Sequence, residues 1–132
     1  LLRPGTDAAL ALALIHVTCE ERLFDAAFIE KHTAGFDALA EHVRACSPQW
    51  AAAITGIAAG RIVDLARLYA GTRPAMIVLG GSSMHKGDNG WQAARAIACL
   101  PGLTGNVGLP GAGFGPRHGA SAHGRGLASV IE

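Results

Sequence analysis

Residues 74–90 read PAMIVLGGSSMHKGDNG. The first six, Pro74 to Leu79, form an unbroken apolar run of strand length, the pattern of a buried strand in a parallel sheet. The run ends in Gly80-Gly81-Ser82-Ser83, too small and too glycine-rich to continue it. A helix is expected after Asn89, over about 90–100. Helical patterns also lie before the run. Helix, strand, small-residue loop and helix together indicate a helix-rich α/β layered domain with a parallel sheet, Rossmann-like in arrangement. In such sheets ligands sit beyond the carboxyl ends of the strands, where this loop emerges.

Upstream, Pro4-Gly5-Thr6-Asp7 reads as a turn into a helix over about 8–21, with Thr6 or Asp7 capping it. That helix is apolar nearly all round, so most of its sides should be buried. Asp25 opens a second helix, expected to stop at Gly35. A third covers residues 36–46, with Phe36, Leu39, Ala40 and Val43 on one face. Ser47-Pro48 starts a fourth, with proline in its first turn, and Thr55-Gly56 breaks it. In the fifth, Ile62, Leu65, Ala66 and Tyr69 recur at helical spacing, Arg61, Asp64 and Arg67 point outward, and Gly71 ends it.

Composition bounds the class. The 132 residues suffice for a single domain over 1–132, half are apolar and 16% are charged, which suits a packed core. A net charge of +1 gives no basic face for nucleic acid. The longest apolar run, Ala8 to Ile15, is too short to cross a bilayer, so no membrane contact is expected. Cys19, Cys46 and Cys99 are widely spaced and are expected to be buried free thiols rather than metal ligands. The chain begins at Leu1 with no targeting signal, and is expected to be an internal piece of a longer protein, which leaves its compartment open.

Residues 103–116, LTGNVGLPGAGFGP, belong to a Gly/Pro-rich tail of about 101–126. Such a stretch is either a loose end or a bare backbone against which something large packs. Gly111-Ala112-Gly113 lacks the preceding strand and following helix of a dinucleotide fingerprint. In the 80–90 loop the glycines allow close approach, Ser82 and Ser83 donate hydrogen bonds, and Lys86 meets a phosphate as a point charge; an ordinary strand-to-helix loop reads the same way. Asp7 is open to two roles, capping its helix or accepting two hydrogen bonds from a guanine edge. His16, His32 and His42 fall in helical segments. His118 and His123 do not have the spacing of a helical metal pair, and His118 has the titration range for acid–base work.

The order of segments carries more. PGTDAALALAL, LFDAAFIEKHTAGFDAL, ITGIAAGRIVDLARLYA, PAMIVLGG, NGWQAARAIACLPGLTGNVGLPGAGFGP and RHGASAHGRG together resemble the molybdopterin oxidoreductases, the family of formate dehydrogenases, nitrate reductases and dimethyl sulfoxide reductase. The resemblance implies a bis-molybdopterin guanine dinucleotide cofactor carrying molybdenum or tungsten, with this chain as an α/β domain holding one arm. It implies that Thr6 and Asp7 meet a guanosine, that Gly81, Ser82 and Ser83 lie along the dinucleotide, and that Lys86 contacts it. The segment from Gly111, with Gly113, would approach the pterin, and Arg117 or His118 would face the metal. It further implies a small-molecule substrate, an iron–sulfur cluster elsewhere in the full-length enzyme, contacts with the remaining domains, and an electron-transfer subunit. The fragment alone is expected to be inactive.

Where formate dehydrogenase-like members carry arginine, glycine, a polar residue, two asparagines and glycine, this chain has Arg117-His118-Gly119-Ala120-Ser121-Ala122. The asparagines are absent, so formate has no advantage over other substrates, and no cysteine falls where the metal's protein ligand would. Two other readings stand beside this one. The first is the central domain of a thiamine-diphosphate enzyme, which shares the P-A-x-I-x-x-G-G strand end. The second is a non-enzymatic interaction domain.

Overall fold

The computed structural model describes residues 1–80 and 87–116, with nothing to be said of the Pro116 side chain. The order is α1 (Asp7–Glu20), α2 (Ala26–His32), α3 (Phe36–Val43), α4 (Pro48–Thr55), α5 (Ala59–Gly71), β1 (Met76–Leu79), α6 (Gly90–Leu103) and β2 (Gly113–Pro116).

Helix α1 is the hub. Alanine and leucine favour helix at every turn, and α3, α4, α5 and α6 all pack against it. Ala9, Ala11, Ala13, Leu14, Ile15, Val17 and Thr18 are buried, so the expectation of a helix covered on most sides holds. The buried Thr18 hydroxyl is satisfied by donating to the Leu14 carbonyl at 2.8 Å. Ile15 and Ile62 are fully enclosed and meet in one core with Val43, Ala51, Ala66 and Leu100. Each of the isoleucine, valine and leucine side chains among them stabilises the fold by about 1.5–3 kcal/mol relative to exposure.

The expected capping at α1 is corrected. Thr6 occupies the N-cap without a side-chain bond to the helix; its hydroxyl donates instead to the Arg3 carbonyl at 2.6 Å, closing the Pro4-Gly5 turn. Asp7 is the first helical residue, not the cap. Elsewhere the capping chemistry works as read: Asp25 accepts from Phe28 N–H, and Ser47 accepts from Trp50 N–H with Pro48 in the first turn. Helix α2 stops at His32, short of Gly35, because Gly35 at φ +81° is already the N-cap of α3. Helix α3 ends at Val43 rather than at 46. Leu65, expected inward, is 41% exposed, since α5 buries only Ile62 and Ala66 fully.

The strand was expected to be buried on both faces, and it is not. Leu79 is buried and Ile77 half-buried, but Met76 and Val78 face outward at 51% and 69% exposure. Among the described residues the sheet has two parallel strands, β1 and β2, joined through α6. A parallel pair requires such a crossover, and α6 packs against both strands. The Rossmann-like layering expected from sequence thus reduces, here, to one small sheet on a helical body. Helix α6 runs past its expected end to Leu103 with Pro101 inside its last turn.

Candidate functional site

The glycine-rich tail is not a loose end where it is described. After α6, Thr104, Gly105 and Asn106 are buried, and the chain returns to lie along β1. The register pairs Met76 with Gly113, Ile77 with Phe114, Val78 with Gly115 and Leu79 with Pro116. Because the strands are parallel, the chain leaves β1 and β2 at the same edge of the sheet. Residues 81–86 continue from one strand and residues from 117 onward continue from the other. Gly81, Ser82, Ser83, Lys86, Arg117 and His118 themselves lie outside the described residues.

The pairing is held by a polar node that sequence reading missed. The Arg73 guanidinium donates to the Gly105 carbonyl at 2.6 Å and to Asp25 Oδ2 at 3.1 Å. Asp25 also caps α2 through Phe28 N–H at 2.9 Å, and its own N–H donates to the Leu103 carbonyl at 2.8 Å. Accepting from Phe28 N–H and lying beside Arg73 hold the Asp25 carboxyl below its ordinary range. Next to this node Asn106, 1% exposed, accepts from Ala75 N–H at 3.0 Å and donates to Thr104 Oγ1 at 2.9 Å. A buried amide needs its partners on both sides, and here one partner is the residue before β1. The signal available in the sequence was the pairing of a lone asparagine with glycines that demand special backbone. Gly105, Gly108, Gly111 and Gly113 all have positive φ.

Gly111 and Gly113 sit at the amino-terminal side of this sheet, opposite the edge where Gly80 and Pro116 emerge. A Cβ on Gly113 would lie 3.2 Å from the Asn106 carbonyl oxygen, and one on Gly111 3.7 Å from Pro74. Their neighbours here are the protein's own backbone and proline ring.

At the head of α1, Asp7 is partly exposed. The ion pairs among the described residues are Arg44–Glu41, Arg67–Glu21 and Arg73–Asp25, so the Asp7 carboxylate is in none of them. With no ion pair among the described residues, this carboxylate keeps two acceptor oxygens for adjacent N–H donors.

Other features are separate from these residues. A cleft of about 750 Å³ lies between α1, α3 and α6, lined by Leu12, Phe36, Leu39, His42, Arg95 and Cys99; of the described sequence-predicted site residues, Thr6, Asp7, Gly111 and Gly113, none lines it. His16 Nδ1 lies 2.9 Å from the Val43 carbonyl, a packing role. The cysteines are free, as expected, but only Cys46 is fully buried; Cys19 and Cys99 are partly so. Burial pushes all three thiols upward. Among the described residues no three His, Cys, Asp or Glu side chains are placed to hold a metal, and no helix is long and apolar enough to cross a membrane.

Comparison with known proteins gives the same direction. Residues 2–130 match the family described as molybdopterin oxidoreductase. The chain is 42% identical to the probable oxidoreductase YoaE of Bacillus subtilis, over 79% of this chain and 15% of that protein. It is 41% identical to the dimethyl sulfoxide reductase DmsA of Haemophilus influenzae, over 90% of this chain and 17% of that protein. Among solved structures it resembles acetylene hydratase from Pelobacter acetylenicus with a TM-score of 0.76 and 38% identity, covering 80% of this chain and 14% of that one. The chain thus spans about one sixth of the length of the relatives it matches. A family match across nearly every residue, joined to a shared fold, means that this chain belongs to the molybdopterin oxidoreductase family.

Proposed function

We propose that this chain is the cofactor-binding part of a larger molybdopterin-dependent oxidoreductase, holding one arm of a bis-molybdopterin guanine dinucleotide. The observation that carries the reading is the parallel β1–β2 pair, which sends two chain segments out from one edge of the sheet. Ligands of α/β sheets bind at such edges. The comparisons leave the thiamine-diphosphate alternative without support.

In this reading the Asp7 carboxylate accepts from the two N–H groups of a guanine edge. Thr6, whose hydroxyl proton is committed to Arg3, offers only its lone pairs to the guanosine. Gly81, Ser82 and Ser83 follow the dinucleotide with backbone and hydroxyl donors, and Lys86 places its ammonium beside a phosphate. Arg117 or His118 faces the reaction centre, Arg117 as a fixed cation and His118 as a proton carrier. Gly111 and Gly113 contribute by bringing β2 onto β1. Molybdenum or tungsten, when bound, would supply two-electron exchange with a small-molecule substrate, and an iron–sulfur cluster and electron-transfer subunit beyond this chain would carry the electrons. The chain alone, holding one arm of a two-armed cofactor, is inactive.

The test is Asp7→Ala in the full-length polypeptide, read by molybdenum or tungsten content and by pterin released as a fluorescent product. Loss of a charged hydrogen-bonding partner costs about 1.5–3 kcal/mol, or roughly 10- to 100-fold in cofactor affinity. Stability of the cofactor-free fold should hold, since Asp7 has no ion-pair partner among the described residues. Wild-type protein free of metal and pterin would overturn the reading and favour an interaction domain. Full retention by the variant would overturn the role of Asp7.

A further inference from the structure

We propose that Asn106 is a positioning residue that sets the register of β2 on β1, and so sets where the chain emerges at the carboxyl edge. The proposal rests on the functional reading above only for the purpose of that edge. The register itself is argued from the described residues.

Strand β2 reads Gly113-Phe114-Gly115-Pro116, with one large side chain in four. Register is normally imposed by alternating apolar side chains, since a slip of one residue would turn each to the wrong face. A strand of this composition has almost no such pattern, and glycine-rich strands are prone to slip. A two-stranded sheet is also marginal by itself. The register must therefore be imposed from outside the strand.

Asn106 is placed to do this. Its Oδ1 takes the Ala75 N–H at 3.0 Å, immediately before β1. The carbonyl of the same Ala75 takes the Gly113 N–H at 2.9 Å, immediately at the start of β2. One residue is thus gripped through its N–H by the Asn106 side chain and through its carbonyl by the first rung of the ladder. Asn106 is itself immobilised: its N–H donates to the Pro101 carbonyl at 2.8 Å, and its Nδ2 donates to Thr104 Oγ1, which donates on to the Leu100 carbonyl at 3.0 Å. Gly113 closes the fit, since its missing Cβ would stand 3.2 Å from the Asn106 carbonyl oxygen. The register is referred through Asn106 to the end of α6 and the rigid helical body.

The experiment uses the full-length polypeptide as wild type, Asn106→Ala and Asn106→Asp. Hydrogen exchange is followed over residues 75–79 and 113–115 and over α1 and α5, with pterin content measured in parallel. In Asn106→Ala the Ala75 N–H loses its partner, so exchange in the two strand segments should rise about tenfold or more while α1 and α5 stay as in wild type. Pterin content should fall with it. In Asn106→Asp a buried carboxyl has a raised pKa. Its neutral form restores both an acceptor for Ala75 and a donor toward Thr104, so protection relative to wild type should recover on going from about pH 8 to about pH 5. Asn106→Ala should show no such recovery.

Unchanged exchange at 75–79 and 113–115 in Asn106→Ala would overturn the proposal. So would exchange raised alike in strands and helices, which would make Asn106 a general stability residue. So would loosened strands with undiminished pterin. Wild-type protein without pterin would instead overturn the functional reading and leave the register question to the exchange data.

Discussion

Gly105→Ala is the sharpest available probe of the node between α2, β1 and the tail. Gly105 has φ +64°, and a Cβ built on it would lie 2.5 Å from Arg73 Nη2 and 2.6 Å from Asp25 Oδ2. Both atoms are ends of flexible side chains, so they would swing aside rather than be crushed. The cost is then the contact they give up. Left-handed backbone for an alanine costs about 1–2 kcal/mol. Displacing Arg73 removes its charged hydrogen bond to the Gly105 carbonyl, worth about 1.5–3 kcal/mol when well buried. Arg73 is 49% exposed, which places its share nearer about 1 kcal/mol. The sum is about 2–3 kcal/mol. Urea unfolding of wild type, Gly105→Ala, Arg73→Ala and the double variant would measure it. Since the new methyl and the Arg73 truncation remove the same contact, the two single losses should exceed the double loss by about 1 kcal/mol. Strict additivity would refute the reasoning, as would a Gly105→Ala loss below about 0.5 kcal/mol.

The ionisable side chains of the fold give two further outcomes. The Asp25 carboxyl is held down by Phe28 N–H and then Arg73, and the Glu21 carboxyl by Arg67, which donates from two nitrogens at 2.8 Å each. A depressed folded pKa gives stability that is complete above the unfolded value, about 3.9 for Asp, and is lost as pH falls through the folded one. Asp25→Asn should therefore flatten the fall in melting temperature between about pH 5 and about pH 2, and parallel curves would refute it. Burial raises the three thiols, so peptide-resolved alkylation near about pH 8 should be slower at each than for a free thiol. Cys99 reacting at the free-thiol rate would contradict its burial.

The helical half was legible because local chemistry and tertiary context agree there. Asp25 and Ser47 cap by direct side-chain bonds, Pro48 stands in a first turn, and the apolar spacing of Ile62 and Ala66 matches their burial. The misses in this half have local causes. Thr6 has an alternative acceptor in Arg3, so its hydroxyl turns back to the turn instead of forward to the helix. Gly35 looked like a stop for α2 but serves α3, a choice that composition cannot make. Leu65 keeps helical spacing with Ile62 and Ala66, yet α5 turns that edge toward solvent.

The β half was harder because its order is stored far from the strands that show it. The run Pro74–Leu79 reads as a strand fully buried among neighbours, but Ile77 and Leu79 share the covered face of β1 while Met76 and Val78 share a face that no described element covers. Its partner, a strand of two glycines, one phenylalanine and one proline, carries no periodicity that could be read. What fixes it is Asn106 reaching Ala75 across thirty-one residues of sequence, with Arg73 reaching Gly105 across thirty-two. Glycines in such a tail do not report flexibility. They permit the positive φ values and close approaches by which a bare strand is pressed against buried polar anchors. A loose end and a built-in strand are identical in composition, and the difference lies in whether a buried amide has somewhere to send its hydrogen bonds.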